Sequence, residues 1–444
     1  MKILFNFIFS GYSKNDKKRI FKNIFSQINI NVIRTILQLA FPPLMIFSYN
    51  LETFGVWIFL VSIPSVLNIF NFNLNEASKI EMSLNYNKKN YKKINKIFNN
   101  SIVLTIFIIV FLNIISVLFI KFYNFDLKIL KSISTDLKYI VTFIFVAFFL
   151  DILNSIFVNS ITFYGRIDIN GYLEIFFDFL GKFLLIISGI IYEDLFIASI
   201  LFMTNNILKI LIYYLYFLNT SKYLEFFNFK LFSKNEIFRL LKLSIPHYLE
   251  TINFIIRNTL QVALLGIFFG GQVVGMISAL KTLFFYLPIR VWGILSKSLL
   301  FEFTKTIALK KTKLLNKILK KISYITIIFS LIFIILSYLF GEKVFDLWLN
   351  DSYKVNYVLI MLICVDIVLM TFGSIFKLVG KSVNQYLPIM KIDLIISISI
   401  IVISSLFFLY YKNYYFIFIL NIVGSFMYIY FSLMNYFKIV KKIS

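Results

Sequence analysis

The chain has 444 residues, of which 60% are apolar and 19% aromatic, and its formal net charge is +24 at pH 7. A soluble protein has no interior large enough to bury so many apolar side chains, so this composition excludes the soluble classes. The lysines lie in the loops between apolar runs and not on one surface of a soluble domain, which also excludes a nucleic-acid-binding protein.

About twelve apolar runs follow one another along the chain, each long enough to cross the ~30 Å hydrocarbon core of a membrane. The sequence therefore predicts an all-α polytopic membrane protein with about twelve transmembrane helices. The predicted spans are 28–48, 54–74, 100–120, 139–160, 171–191, 195–218, 244–268, 273–296, 322–340, 355–376, 386–410 and 414–436.

One short stretch occurs twice. Residues 33–40 and 256–263 have Ile, Arg, Leu, Gln and Ala at the same places, at a shift of 223 in the numbering. Each copy puts an arginine and, four residues later, a glutamine on one face of a membrane helix. These pairs are Arg34 with Gln38 and Arg257 with Gln261.

Two further matches keep nearly the same spacing. Gly55 corresponds to Gly275 at a shift of 220, and Asn95 corresponds to Asn316 at a shift of 221. An even number of spans separates the copies, so we predict a parallel repeat, which is a known plan for transporters. The predicted parts are two six-helix lobes over 1–218 and 244–444, joined by a basic linker over 219–243.

Lysine is concentrated in the loops on one side of the predicted membrane. The segments 76–99 and 297–321, the linker and the C-terminus are all basic, whereas most opposite loops are poor in base. The positive-inside rule then predicts that both termini lie in the cytoplasm. The two long basic segments fit either amphipathic helices on the anionic inner leaflet or simple solvated loops.

The chain shows no motif for chemistry. Gly380-Lys381-Ser382 resembles the end of a P-loop, but residue 375 is Ile where that motif requires Gly. No Cys/His cluster has metal-ligand spacing, and the predicted outer loops, at most about eighteen residues, are too short for an elaborate catalytic site. We therefore expect neither an enzyme nor a bound cofactor.

The candidate functional residues are charges inside the spans. Arg34, Arg257, Lys281 and Arg290 each lie in an apolar run, where a charged side chain costs about 3 kcal/mol by insertion scales. Guanidinium groups bind phosphate bidentately, so we interpret these cations, with Gln38 and Gln261, as the lining of a site for an anionic headgroup such as a diphosphate. Snorkelling to the membrane surface remains the alternative, especially for Lys281 and Arg290.

Acidic residues also lie inside the predicted spans. Glu174, Asp178 and Lys182 recur every four residues on the fifth span and therefore line one face of its helix. A simple Asp178–Lys182 ion pair is an equally good interpretation.

Several segments resemble a known family when taken in order. They are Phe54-Gly55-Val56-Trp57, residues 71–77 with the basic segment up to Asn99, Leu243-Ser244-Ile245-Pro246, and residues 341–349. In order and spacing the chain resembles the polysaccharide-biosynthesis flippases, which are Wzx-type members of the multidrug/oligosaccharidyl-lipid/polysaccharide exporter superfamily. Asn73 departs from the family, which often has Gly there.

The resemblance implies two lobes around a central cavity and alternating access. It implies a flippase that moves undecaprenyl-diphosphate-linked oligosaccharide (O-antigen, capsule or a similar polysaccharide) across the cytoplasmic membrane. The implied partners are membrane lipids and other polysaccharide-assembly membrane proteins. It also implies coupling to a proton or sodium gradient, for which Asp151, Glu174 and Asp178 are candidate protonatable groups. A multidrug/cation antiporter of the same superfamily and a membrane glycan polymerase remain as alternatives.

Overall fold

The computed structural model describes residues 14–67, 74–87, 89–122, 137–163, 167–220, 224–290, 292–293, 296, 303, 312–349, 355–382 and 385–443. The regular structure within these ranges is helical throughout. Most of the predicted segment 297–321 and Asn73 lie outside the described residues.

The helices follow the predicted spans closely. Eleven helical stretches in the described residues are long and apolar enough to cross a membrane, and α2 is a shorter apolar helix. This arrangement confirms an all-α polytopic membrane fold. The helices are α1 Lys14–Ser48, α2 Leu51–Leu67, α3 Leu74–Asn87, α4 Tyr91–Phe122, α5 Leu137–Thr162, α6 Ile167–Tyr192, α7 Leu195–Thr220, α8 Lys234–Phe254, α9 Gln261–Phe269, α10 Gly271–Lys281, α11 Thr312–Trp348, α12 Tyr357–Ser382, α13 Leu387–Tyr410 and α14 Tyr415–Ile443.

Several helices continue past their apolar runs into basic sequence. The spans predicted to begin at 100 and 322 belong to helices that begin at Tyr91 and Thr312. Lysine is a good helix former, and its long stem keeps the ammonium in water, so the helix extends beyond the hydrocarbon region. The basic segment 76–99 is accordingly helical, divided between α3 and α4, while its location on the inner leaflet remains a prediction.

The described residues form two compact units that do not follow chain order. Unit 1 takes those up to Phe41, Leu74–Lys121 and Lys138–Lys242, and unit 2 takes 42–67, Phe122, Leu137 and 243–443. Helices α1 and α8 therefore each begin in unit 1 and end in unit 2. In α1 the change falls at Pro42 and Pro43, which lack the N–H that a helix interior needs. The division into 1–218, 219–243 and 244–444 stays a prediction.

The segment after α7 is fastened to unit 1 by asparagines of α4. Three backbone N–H groups of this segment donate to their side-chain oxygens, and two of their amide groups donate back to its carbonyls. The backbone of the segment thus gains hydrogen bonds that a loop without regular structure would otherwise seek from water. The asparagines are Asn95, Asn99 and Asn100, and the segment residues are Glu225, Asn228, Leu231 and Ser233.

In unit 2, α2 and α10 cross at glycines. A Cβ on Gly55 would lie 1.7 Å from the carbonyl oxygen of Gly271, and one on Gly275 would lie 2.4 Å from the carbonyl oxygen of Leu51. Only glycine allows two backbones to approach so closely. The two glycines that the repeat had matched, Gly55 and Gly275, therefore meet at one helix crossing.

Candidate functional site

Two π-helical turns mark the interior of unit 2. Between α8 and α9, residues Ile255–Leu260 form a π-helical turn that contains Arg257, and a second π turn, Thr282–Tyr286, begins directly after Lys281. Such turns hold one more residue than an α-helical turn and are frequent at functional sites. Two of the predicted cations of the second half thus lie in or beside irregular helix.

The guanidinium of Arg257 is buried and uses one nitrogen for all its hydrogen bonds. Its Nη2 donates to Asp366 Oδ1 at 3.0 Å, to the carbonyl of Asn421 at 3.2 Å and to the hydroxyl of Ser425. Its Nη1 lies 3.9 Å from Asp393 Oδ1. Within the described part of the chain, Nη1 and Nε have no hydrogen bond. Hydrogen bonds therefore fix the Arg257 guanidinium at Nη2, while Nη1 and Nε remain available as donors.

Gln261 links this arginine to Lys281. Gln261 and Asn421 form a reciprocal amide pair, with distances of 2.7 and 3.1 Å, and Lys281 Nζ donates to Gln261 Oε1 at 3.4 Å. Lys281 is only 4% exposed, and the described residues place no carboxylate within 4.0 Å of its ammonium. The predicted residues Arg257, Gln261 and Lys281 thus form one buried polar cluster.

The cluster also includes Asp393, which the sequence reasoning missed. Asn253 donates to Asp393 Oδ2 at 3.2 Å and to the carbonyl of Met390 at 3.1 Å, while Asp393 Oδ1 faces Arg257. A signal for Asp393 did exist in the sequence, because it follows Glu174 at a shift of 219 and so matches it in the repeat.

The other three predicted binding residues, Arg34, Gln38 and Arg290, are less enclosed. Arg290 is half-buried in the helical residues 287–290, and Gln38 is half-buried in α1. Arg34 and Gln38 belong to unit 1, whereas Arg257, Gln261, Lys281 and Arg290 belong to unit 2.

In unit 1, Arg34 forms an ion pair with Glu174 of α6. Asn170 donates to the other oxygen of Glu174 at 2.8 Å, and the hydroxyl of Tyr213 donates to Asn170 Oδ1 at 2.9 Å. The arginine that was expected to need a ligand therefore has a carboxylate on a neighbouring helix. Sequence alone did not show this pair, because it depends on which helices are adjacent.

The other two candidate coupling acids are also paired with bases. Lys182 Nζ lies 2.9 Å from Asp178 Oδ2, which confirms the simple ion pair. Lys209 Nζ lies 2.5 Å from Asp151 Oδ1, and the Asp151 side chain is 56% exposed. Asp151 is thus the most accessible of the three candidate acids.

Two further ionic clusters were not expected from the sequence. Glu250 of α8 bridges Lys377 and Lys381, one turn apart on α12, at 3.1 and 2.9 Å. At the start of α8, Glu236 accepts from Arg239 and Lys93. Burial raises the pKa of the Glu236 carboxyl, but these hydrogen bonds outweigh it, so its pKa lies below the ordinary value.

No protein-family model matches the chain, and no curated protein matches it by sequence. Solved structures do match. The inward-facing conformation of a multidrug resistance MATE family transporter of the MOP superfamily has a TM-score of 0.64 at 12% identity, over 94% of this chain and 99% of that one. An outward-facing conformation of such a transporter gives 0.59 at 13% identity, over 93% and 97%.

A third similar structure is a MOP superfamily transporter from Pyrococcus furiosus. Its TM-score is 0.58 at 12% identity, over 95% of this chain and 96% of that one. It is described as having a binding pocket of reverse polarity that suggests a different function. Likeness at this level of identity establishes the fold, and this chain has the fold of the MATE transporters of the MOP superfamily.

Proposed function

We propose that this protein is a transporter of the cytoplasmic membrane that flips undecaprenyl-diphosphate-linked oligosaccharide by alternating access. The observation that supports the proposal is the buried polar cluster of unit 2, where Arg257 and Lys281 have donors left over although Asp366 and Asp393 lie beside Arg257. Arg257 has two nitrogens without a hydrogen bond among the described residues, and Lys281 has an amide but no carboxylate beside it there. Buried donors without partners are costly, and an anionic headgroup would supply the missing acceptors.

The likeness in fold supports transport but does not choose the cargo. Multidrug transporters share this fold, and one transporter of the fold is described as having a pocket of reverse polarity. The polarity of the site therefore has to be argued from this chain's own residues. Its matched arginines, Arg34 and Arg257, favour an anionic cargo.

In unit 1, Arg34 and Gln38 are the proposed contacts for an anionic group. Arg34 is only partly buried, with its side chain 31% exposed, so a phosphate could displace Glu174 without leaving the guanidinium uncompensated. In unit 2, Arg290 would add a further positive charge. Both termini lie in the cytoplasm, in accordance with the distribution of lysine.

Transport would be driven by a proton or sodium gradient through the acids of unit 1. Asp151, Glu174 and Asp178 each face a base, so binding of a proton or a sodium ion would have to release Lys209, Arg34 or Lys182. Release of Arg34 from Glu174 would link the coupling ion to the site for the headgroup.

A cation antiporter is the second candidate. Asp366, which is buried, and Asp393, whose side chain is 13% exposed, both lie within 4.0 Å of Arg257, and a cationic drug could take the place of the arginine between them. The multidrug resistance transporter that has a similar fold is a further argument for the antiporter.

A gene deletion in the host, complemented with variants, separates these functions. For a flippase we expect loss of surface glycan, accumulation of complete repeat units on the inner face, and rescue by the wild type but not by Arg257→Ala. Lys391→Ala is the matched control, because Lys391 is an exposed base on α13. Single units displayed outside would indicate a polymerase, and unchanged glycan with new sensitivity to cationic drugs would indicate the antiporter.

A further inference from the structure

The two halves of the chain carry the same three charges on corresponding helices. Each half has an arginine on its first span, an acid on its fourth and an acid on its fifth. The shifts in numbering between the halves are 223 for the arginine, 215 for the first acid and 219 for the second. The first half has Arg34, Asp151 and Glu174, and the second half has Arg257, Asp366 and Asp393.

The arginine has a different partner in each half. In unit 1, Arg34 pairs with the fifth-span acid Glu174, and Asp151 pairs with Lys209 instead. In unit 2, Arg257 hydrogen-bonds to the fourth-span acid Asp366 and stands 3.9 Å from the fifth-span acid. One chain thus displays two arrangements of the same constellation.

The local helix geometry accounts for the difference. Helix α1 is α-helical through Arg34, whereas Arg257 lies in a π turn over Ile255–Leu260. Successive residues of an α-helix are about 100° apart around its axis, so the extra residue of a π turn directs side chains differently. Conversion of this turn to α-helix would redirect Arg257.

The atoms needed for the second arrangement already face each other. Arg257 Nη1 and Asp393 Oδ1 are buried and have no hydrogen bond within the described residues. Asn253 holds Asp393 by its other oxygen at 3.2 Å. The gap of 3.9 Å would have to shorten only to about 2.9 Å for a hydrogen bond to form.

From this geometry we infer that Arg257 exchanges carboxylates, moving between Asp366 and Asp393 as unit 2 changes conformation, and that Arg34 with Glu174 displays the second arrangement. A buried guanidinium without a carboxylate is strongly unfavourable. An exchange between two fixed carboxylates keeps Arg257 compensated in both end states and so allows two discrete conformations. The inference holds for any cargo, because it concerns only contacts within unit 2.

The direct test is a structure of the full-length Asp366→Asn protein in lipid nanodiscs. A neutral amide does not balance the guanidinium, so we expect Arg257 Nη1 within about 3 Å of Asp393 Oδ1 and residues 255–260 in α-helical form. Ser425→Ala keeps every charge and removes one contact on the Asp366 side, so it tests the same shift in a milder variant. The matched control Glu193→Gln, at an exposed acid of unit 1, should leave Arg257 on Asp366.

If Arg257 still contacts residue 366 in the structures of both Asp366→Asn and Ser425→Ala, the inference is overturned. A transport assay gives a second test, because Asp393→Asn should hold Arg257 on Asp366 and slow flipping of lipid-linked oligosaccharide by about tenfold or more. Transport by Asp393→Asn at the wild-type rate would also overturn it. If the wild type itself moves no such lipid, the proposed cargo fails, while the structures still decide the exchange.

Discussion

At the scale of single residues, burial decides how much an ion pair contributes to stability. Arg257 and Asp366 have side chains only 5% and 6% exposed, whereas those of Arg34 and Glu174 are 31% and 34% exposed. Removal of one partner of a buried pair leaves an uncompensated charge in a low-dielectric interior. A partly exposed pair is enclosed by fewer protein groups, so its loss disturbs the interior less.

The first prediction compares the two arginines. Arg257→Met leaves Asp366, Ser425 and the carbonyl of Asn421 without their shared donor, and we expect the free energy of unfolding to fall by about 3–5 kcal/mol. The same change at Arg34 should cost less, because the Glu174 carboxylate that remains still accepts a hydrogen bond from Asn170 and is only partly enclosed by protein. Thermal unfolding of the detergent-solubilised variants measures both, and equal losses would contradict the assigned difference in burial.

The sequence alone did not reveal which acid each arginine pairs with. The repeat located Arg34, Arg257, Gln38 and Gln261, because a charged residue at matched places in apolar runs is recognisable without coordinates. Pairing of Arg34 with Glu174 depends on helix adjacency, and the two π turns have no recognisable sequence pattern. Asp393 was overlooked although its shift from Glu174 matched the repeat, so closer use of the repeat would have found it.

At the scale of helices, the spans were largely predictable and their crossings were not. The predicted span 139–160 corresponds to the helix Leu137–Thr162, and the predicted span 386–410 corresponds to the helix Leu387–Tyr410. Apolar run length determines such spans directly. Nothing in the pattern showed that α2 lies against α10, because a crossing at Gly55 and Gly275 depends on two segments from opposite halves of the chain.

The second prediction tests this crossing. Gly55→Ala would place a methyl group 1.7 Å from a backbone oxygen, so α2 and α10 must separate along their contact. We expect a marked fall in the amount of monodisperse protein and in its unfolding temperature. Gly293→Ala is the matched control, since a Cβ there meets no atom of the described residues within 4 Å, and it should behave as wild type. Normal stability of Gly55→Ala would refute the close approach.

The third prediction concerns pH and the start of α8. The pKa of Glu236 is lowered in the folded protein, so its charged form adds stability above the unfolded pKa, ordinarily about 4.3. This stability is lost as the pH falls through the folded pKa. The difference in unfolding temperature between wild type and Glu236→Gln should therefore stay constant above about pH 5 and shrink below about pH 4. A difference independent of pH over this range would contradict the ion pairs with Arg239 and Lys93.

At the scale of the whole molecule, the compact units and the repeat halves are not the same. Helix α2 belongs to the first half by sequence and to unit 2 by contact, and α1 and α8 each run through both units. A conformational change of either unit must therefore act on helices that the units share. In α1 the prolines at 42 and 43 weaken the backbone ladder where the units divide.

The last prediction concerns the energy source of the proposed transport. In vesicles that contain the full-length protein, collapse of the coupling gradient should stop flipping of lipid-linked oligosaccharide, because release of a base from its acid needs a proton or sodium ion from outside the pair. A protonophore and sodium-free buffer, applied separately, show which ion is used. Transport that persists without either gradient would remove Asp151, Glu174 and Asp178 as coupling groups.

The exposed fractions of the three acidic side chains indicate which acid to test first. Asp151 is 56% exposed, whereas Asp178 is 41% and Glu174 34% exposed, so Asp151 is the acid that the protein encloses least. If Asp151→Asn uncouples transport from the gradient, the freed partner is Lys209 on α7 and the signal passes between α5 and α7. If only Glu174→Gln does so, the freed partner is Arg34, and coupling acts directly on the proposed headgroup site. The two outcomes therefore distinguish an indirect from a direct link between ion and cargo.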